Sequence, residues 1–375
     1  MPSVSIIVPI FNGSTFLPSF FESLIGALPE KSQLILVDDA STERVFDAVP
    51  QALGGEPIIR LRNDTNLGYS VAVNRGFRVA TGDIVIQLNS DLILQPETLT
   101  AMIDLIDREK NVGIVGSKLV FPTNGLIQHV GLALGNYSMR HFYFELPSAH
   151  PLCVKTREVQ ITTGATVAMT RRVLDQLGPL DESYFNHHED IDHCLRALQH
   201  GLRNFVCAES IAYHWQSQSG PARFARIDTA DALFWTRWGN DHRPDLDSFV
   251  DEALDYVLRT RPHLEAVPFH ILNLSRSADS PIILDRLARR WPGIEGRVRQ
   301  FGQMNNPAER LWLPLLLPHW VVNEPTPFIY LVDRHRELEE NVYWFESRQR
   351  VVADELIVDM SAAVLPTSEL SHPHD

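Results

Sequence analysis

The chain has 375 residues, 44% of them hydrophobic and 21% charged, which suits a soluble globular protein with one large domain and an accessory one. A formal net charge of -14 excludes the non-specific nucleic-acid binding that Lys and Arg drive, and an acidic protein that handles phosphorylated ligands needs a divalent cation to offset the repulsion. The 3 cysteines, Cys153, Cys194 and Cys207, lie far apart without a CxxC pair. That excludes a disulfide framework or zinc site of familiar spacing and fits a reducing compartment.

Taken in order, residues 3–9 read as a strand, followed by the polar turn Asn12-Gly13-Ser14 and an apolar helix over 15–28. No basic segment precedes the first apolar run, which is too short for a signal-peptide core. Residues 34–37 form a second strand ending in Asp38-Asp39, and 42–53 are expected to be helical. A third strand over 57–61 runs into the turn-rich 63–68, a helix follows over 70–79, and 84–88 supply a fourth strand ending in Asn89-Ser90-Asp91. This alternation predicts a mostly parallel sheet with helices on both faces. Ligands bind beyond the carboxyl ends of such strands, which makes Asp91 a candidate metal ligand. The GxGxxG fingerprint of dinucleotide-binding folds is missing after the first strand, where Pro9 to Gly13 offer a single glycine. No stretch reaches the ~20 apolar residues of a membrane span. The longest, 311–322, is broken by Pro314, Pro318 and His319.

The segments Val4 to Asn12, Leu36 to Ser41, Asn66-Leu67-Gly68 with Asn74-Arg75-Gly76, and Asn89-Ser90-Asp91 resemble, in order and spacing, the successive motifs of family 2 glycosyltransferases with the GT-A fold. Thr163-Gly164-Ala165 with Arg171, Leu180-Asp181-Glu182, the run His188 to Asp192, and His214 agree with it, so the resemblance covers roughly residues 1–220. Asparagine at the first position of the metal motif points to the rhamnosyltransferase-like branch. The resemblance implies a Rossmann-like nucleotide-binding catalytic domain over 1–220 and an inverting, metal-dependent transfer of a sugar from a dTDP- or UDP-linked donor. The sugar would be a hexose or rhamnose, the acceptor a glycan or lipid-linked hydroxyl, and the setting polysaccharide biosynthesis, in the cytoplasm or peripheral to the inner face of the membrane.

Residue by residue, the resemblance implies that Asp39 accepts from the imide of a uracil or thymine, with Pro9, Ile10 and Phe11 bordering the base. Asp38 is read instead as capping the turn that follows it. Asn66, Gly68 and Asn74 would lie beside the nucleotide and donor sugar, as would Asn89 and Ser90. Asp91 would be the one anionic ligand of its motif and His214 would complete the site for a weakly held Mg²⁺ or Mn²⁺, most of whose coordination comes from the diphosphate and water.

The acidic run holds the expected general base. If Asn186 caps a helix, Glu189 falls at its third position and can reach back to the cap. Ile191, Cys194, Leu195 and Leu198 mark the buried stripe, Asp190 lies about a quarter turn from it, Glu189 nearly opposite, and Asp192 at its other edge. Asp190 is thus better placed than Glu189 to face a cleft, and the resemblance implies that it is the catalytic residue, with Gly164 and Glu189 on the acceptor side. The aromatic and histidine-rich stretch 125–151, including His129, Tyr137, His141, Phe142, Tyr143 and Phe144, suits either sugar stacking or packing on the domain body near the cleft.

Residues 221–365 are expected to form a mainly helical region and 366–375 a disordered tail. Helices are expected over 224–238, 246–258 and 282–291, and a strand over 269–274. A long helix over 333–360 would align Leu338, Val342, Phe345, Val352 and Leu356 along a heptad seam, suited to a homodimer or to packing on the chain's own body. Two other readings of the whole remain: a catalytically silent sugar-nucleotide-binding or scaffolding protein on the same fold, which would account for the uncharged Asn89, and a nucleotidyltransferase. The latter lacks its expected basic loop, since Asn12 to Thr15 carry no Lys or Arg.

Overall fold

The computed structural model describes residues 2–53, 56–215, 226–294, 299–300, 325–336, 338 and 342–370. The chain divides into two units, Met1–Leu132 with Leu146–His242, and Ala133–Glu145 with Arg243–Asp375. The division falls after His242 rather than after residue 220, and a central segment of the chain belongs to the second unit. Residues 311–322 and 371–375 lie outside the described residues. Among the described residues no helix is long and apolar enough to cross a membrane.

In the first unit, ten strands make one mixed sheet: β1 (Val4–Ile10), β2 (Ser32–Asp38), β3 (Ile59–Arg62), β4 (Ile84–Leu88), β5 (Leu92–Leu94), β6 (Val112–Val120), β7 (Ile127–His129), β8 (Arg157–Val159), β9 (Thr166–Thr170) and β10 (Arg203–His214). The order is β8-β10-β6-β9-β4-β1-β2-β3, with β5 on β10 and β7 on β6. Pairs β4/β1, β1/β2, β2/β3 and β10/β6 are parallel, while β9 lies antiparallel between β4 and β6. Every residue of β1 and β4 is buried, which explains their unbroken aliphatic runs: both faces of a central parallel strand are covered.

Helices α1 (Leu17–Ala27), α2 (Tyr69–Val79), α3 (Thr98–Arg108), α4 (Arg171–Leu177) and α5 (Glu189–Gln199) connect or flank these strands, and α6 (Ile227–Trp238) follows β10. In α1, Leu17, Phe20, Phe21, Leu24 and Ala27 form the buried stripe, with Pro18 tolerated in the first turn where no N–H partner is needed. The helix expected over 42–53 is absent. A short 3₁₀ turn, Val45–Ala48, stops at Val49, which is extended (ψ 128°) because Pro50 disfavours a helical residue before it.

The second unit corrects the expectation of a mainly helical region. Helices α7 (Leu246–Thr260), α8 (Ser280–Arg290) and α9 (Val342–Gln349) accompany a five-stranded sheet of β11 (His270–Asn273), β12 (Arg299–Gln300), β13 (Phe328–Val332), β14 (Leu356–Asp359) and β15 (Val364–Pro366), in the order β12-β11-β13-β14-β15. All pairs are parallel except β14/β15. The long helix over 333–360 is not formed, so the homodimer seam drawn on it is withdrawn. Leu338, Phe345 and Leu356 are buried, but on three separate elements, and Leu338 and Phe345 pack into the unit's own core with Phe328, Tyr330 and Ile357. After Gln349 the chain turns, with the Val351 and Val352 N–H groups both donating to the Arg348 carbonyl at 2.9 Å, and the aliphatic run at Leu356 becomes a strand. Arg348 and Glu355, both fully buried, form an ion pair of 2.9 Å. The tail expected over 366–375 is ordered at its start, where Thr367–Glu369 form a 3₁₀ turn.

The aromatic stretch is divided. Phe142 and Tyr143 are fully buried in the second unit, with Phe142 stacked on Phe249 at 3.8 Å and the Tyr143 hydroxyl donating to the Glu252 carboxylate at 2.8 Å. They serve packing.

Candidate nucleotide-sugar site

A cleft of about 410 Å³ opens at the carboxyl ends of β1, β2 and β4. It is lined by Pro9, Ile10, Phe11, Asp39, Asn66, Gly68, Asn89, Ser90, Asp91, Gly164, Glu189 and Asp190. Six strand and helix ends far apart in sequence, those of β1, β2, β4, β9, α2 and α5, thus meet at one cleft.

On the β2 side, Asp38 is wholly buried and turns away from the cleft. It accepts from the Ser41 amide at 2.8 Å and pairs with Arg62, as a turn-closing residue does. Asp39 faces the cleft but already accepts from Asn63 Nδ2 at 2.7 Å and from the Leu67 and Gly68 amides at 3.0 and 2.8 Å. Its carboxylate therefore organises the 63–68 loop. Oδ2, with a single partner, keeps capacity for another donor. Gly68 has φ 95°, and a Cβ there would lie 2.4 Å from the Phe185 carbonyl oxygen. Asn74 is not part of the cleft: its Nδ2 donates to the Leu180 carbonyl (2.8 Å) and Glu182 (3.0 Å), and its Oδ1 accepts from the Leu180 amide (2.9 Å). It ties α2 to the 180–182 turn, so its assignment to the sugar nucleotide is corrected.

Beyond β4, Asp91 Oδ1 lies 3.2 Å from His214 Nε2, at side-chain exposures of 15% and 7%. Gln128 Nε2 donates to the His214 carbonyl at 3.1 Å, which turns Gln128 Oε1 toward Nδ1 at 2.6 Å and assigns the ring proton there. With Nδ1 as the one protonated ring nitrogen, Nε2 would offer a lone pair beside the Asp91 oxygen, a pair of donors that a cation could bridge. Two donors each about 2.1 Å from one ion and at right angles to each other stand about 3 Å apart, so the pair fits a hard divalent ion. Among the described residues no third His, Cys, Asp or Glu joins them, leaving the other coordination positions to a ligand and water.

The acidic run departs from the expected capping box. Helix α5 starts at Glu189 itself, its N-cap is His188 in the left-handed region (φ 69°), and no side chain caps it, so Asn186 lines the cleft instead. Glu189 is buried at 5% exposure rather than opposite the buried stripe. Asp192 is fully buried, accepting from Arg196 at 2.9 Å, Arg237 at 2.8 Å and Trp238 at 3.0 Å, which fastens α6 to α5. Asp190 is half-buried in the cleft wall. Its Oδ2 accepts from the Gly164 amide at 2.7 Å and its Oδ1 from the Ile191 amide at 2.9 Å. A Cβ at 164 would come within 3.1 Å of Asp190 Cβ and 3.2 Å of Gln87 Nε2, so a larger residue there would push these side chains by a few tenths of an ångström.

Sequence reasoning missed several lining residues. Tyr69 follows Gly68 and sends its hydroxyl between Gln87, Asn89 and Gly164. Burial pushes that hydroxyl's pKa well up, helped by Glu189, Asp190 and Asp91. Arg226, 4.2 Å above the Phe185 ring, is the one basic side chain lining the cleft among the described residues. Neither carries a local sequence signal, since each gains its place only through long-range folding.

An acidic cleft at the carboxyl ends of parallel strands, with a carboxylate and an imidazole side by side, is where α/β domains of this architecture bind their ligands. Residues 5–178, a little under half of the chain, match the family described as Glycosyl transferase family 2. Over 228 residues the chain is 31% identical to "Uncharacterized protein y4gI" of Sinorhizobium fredii, covering 58% of this chain and 25% of the relative. Over 227 residues it is 29% identical to "O-antigen biosynthesis protein RfbC" of Myxococcus xanthus, covering 58% and 18%. The chain thus spans a quarter or less of the length of these relatives. A mannosyltransferase of Pyrobaculum calidifontis, solved with GDP-Man and Mn²⁺, superposes with a TM-score of 0.48 at 16% identity, over 77% of this chain and 74% of that one.

Proposed function

We propose that the protein is an inverting glycosyltransferase that moves a sugar from a nucleoside-diphosphate donor to a hydroxyl of a glycan or lipid-linked acceptor. The observation that carries this is the gathering of Asp39, Asn89, Ser90, Asp91 and Asp190 around a single cleft, most of whose lining falls in the stretch that matches family 2. In this reading the base lies against Pro9, Ile10 and Phe11 and its imide N–H donates to the remaining acceptor site of Asp39. The donor sugar lies between Asn66 and Gly164. Asp190, held by the Gly164 and Ile191 amides, takes the proton of the acceptor hydroxyl as that oxygen attacks the anomeric carbon opposite the departing diphosphate. Glu189 borders the acceptor.

Asp91 and His214 would hold Mg²⁺ or Mn²⁺, which would supply Lewis-acid stabilisation of charge on the leaving diphosphate. Arg226 adds a positive charge on the same wall. The uncharged Asn89 favours the rhamnosyltransferase-like branch and hence a dTDP-linked rhamnose donor. The protein would work in polysaccharide assembly, in the cytoplasm or against the inner face of the membrane. The test is a panel of nucleotide sugars with and without Mn²⁺ or Mg²⁺, scored by thermal shift and by nucleoside-diphosphate release. Metal-dependent stabilisation by dTDP-rhamnose above UDP-sugars supports this reading in full. Stabilisation without any release on adding acceptor glycans identifies the silent binding protein instead, and no stabilisation by any nucleotide sugar overturns the proposal.

A further inference from the structure

Tyr69 joins both halves of the proposed chemistry without belonging to either. Its oxygen is 2.7 Å from Gln87 Nε2, 3.0 Å from the Gly164 carbonyl and 2.9 Å from Asn89 Oδ1. The proton positions follow from the partners. Gln87 Nε2 also donates to the Gly164 carbonyl at 2.8 Å, and because a carbonyl only accepts, the nitrogen of that amide is fixed on this side. Tyr69 therefore accepts from Gln87 and has one proton to give, to Gly164 or to Asn89. With the Asn89 nitrogen toward it, the hydroxyl accepts from Asn89 and donates to Gly164; with the Asn89 oxygen toward it, the one proton goes to Asn89 or to Gly164, and Gln87 keeps the tie to the Gly164 carbonyl.

What it bridges is specific. The Gly164 amide is the donor to Asp190 Oδ2, and a glycine left to itself would wander over a wide range of backbone angles. With its carbonyl held by Gln87 beside the Tyr69 hydroxyl, and the next carbonyl, Ala165, accepting from the Asn89 amide at 2.8 Å, residue 164 has little freedom left. On the other branch, the far end of the Asn89 side chain lies 3.4 Å from His214 Nε2, the atom that faces Asp91. With its oxygen toward Tyr69, the Asn89 side chain sits beside the two groups proposed to hold the ion.

We propose that Tyr69 is a positioning residue of the transfer reaction, its hydroxyl and the Gln87 amide together tying the Gly164 backbone that orients Asp190 to the Asn89 side chain beside the Asp91–His214 pair. The inference rests on the transferase reading. Burial and the surrounding carboxylates keep the phenol protonated, as a bridging donor must be.

The test uses the full chain with the donor found in the nucleotide-sugar panel. Tyr69→Phe removes the hydroxyl alone and Gln87→Met removes the second tie on Gly164. Displacement of a catalytic group by a fraction of an ångström to 1 Å costs on the order of 10- to 100-fold, so kcat falls by about that factor in each variant while the Kd for the free nucleoside diphosphate stays within about twofold. Because both act on one carbonyl, the double variant loses no more than about the larger single loss. A folded Tyr69→Phe enzyme with wild-type kcat overturns the proposal, as do losses that multiply in the double variant, the signature of two independent structural defects. If Tyr69→Phe fails to fold, Gln87→Met alone decides, by whether kcat falls with nucleotide affinity kept. A wild-type protein that binds sugar nucleotides and transfers none removes the transferase reading itself, an outcome the binding arm separates from the others.

Discussion

Replacing Asp190 by Asn tests the assignment of the general base most directly. The carboxylate has two oxygens and uses one on the Gly164 amide at 2.7 Å and the other on the Ile191 amide at 2.9 Å. An Asn side chain has only one oxygen, so one of those backbone donors must face an NH₂ group, and an unpaired donor there costs about 1–3 kcal/mol. A modest fall in thermal midpoint is therefore expected. The catalytic loss is larger. General-base help is worth ~10²- to 10⁴-fold, or about 3–5 kcal/mol of barrier, and the amide has no basic lone pair to replace it. Nucleotide affinity should hold, because Pro9, Ile10, Phe11 and Asp39 stand on other elements of the cleft. The assay is nucleoside-diphosphate release with acceptor present, beside calorimetric binding of the free nucleotide. A folded Asp190→Asn protein that turns over within about tenfold of wild type refutes the reasoning.

Gly68→Ala combines a left-handed backbone with a Cβ 2.4 Å from the Phe185 carbonyl, so a loss of at least about 1–3 kcal/mol in urea unfolding is expected together with weaker nucleotide binding. Gln128→Leu should weaken the apparent affinity for Mn²⁺ on the order of 10- to 100-fold, read by metal titration of the thermal shift, because it removes the acceptor that sets the His214 tautomer. The pH dependence of stability carries a third expectation. Burial, with Arg196 nearby, pushes the pKa of His193 from its ordinary 6.5 to about 3. The unfolded chain then takes up this proton first, so the stabilisation is full above about pH 6.5 and is lost as pH falls toward 3, by up to about 1.4 kcal/mol per pH unit. The urea midpoint should drop across that window, and His193→Gln should flatten the drop.

The parts of the site that sequence reveals are those made by local pattern. Buried runs such as Val4–Ile10 and Ile84–Leu88 announce their strands, and what directly follows a strand end must lie at the sheet's carboxyl edge, which places Phe11, Asp39 and Asp91. Asn74 shows the limit. Its amide suits a sugar hydroxyl or a backbone carbonyl equally well, and only the return of residues 180–182 decides for Leu180. A helical wheel for the acidic run fails at Glu189 because a first-turn residue is buried by whatever loops close over it. In the second unit, heptad spacing misled because apolar residues three and four apart also arise when strand, turn and helix each contribute to one core.

The assignment of Ala133–Glu145 to the second unit bears on any attempt to make the halves separately. A clone stopped at His242 would retain Phe142 and Tyr143 while deleting Phe249 and Glu252, their stacking and hydrogen-bonding partners. Two large rings would be left bare to water, an invitation to clumping during expression. A workable catalytic fragment therefore needs that stretch replaced by a short polar bridge, whereas simple shortening at the carboxyl end would yield inclusion bodies and misplace the blame on the cleft.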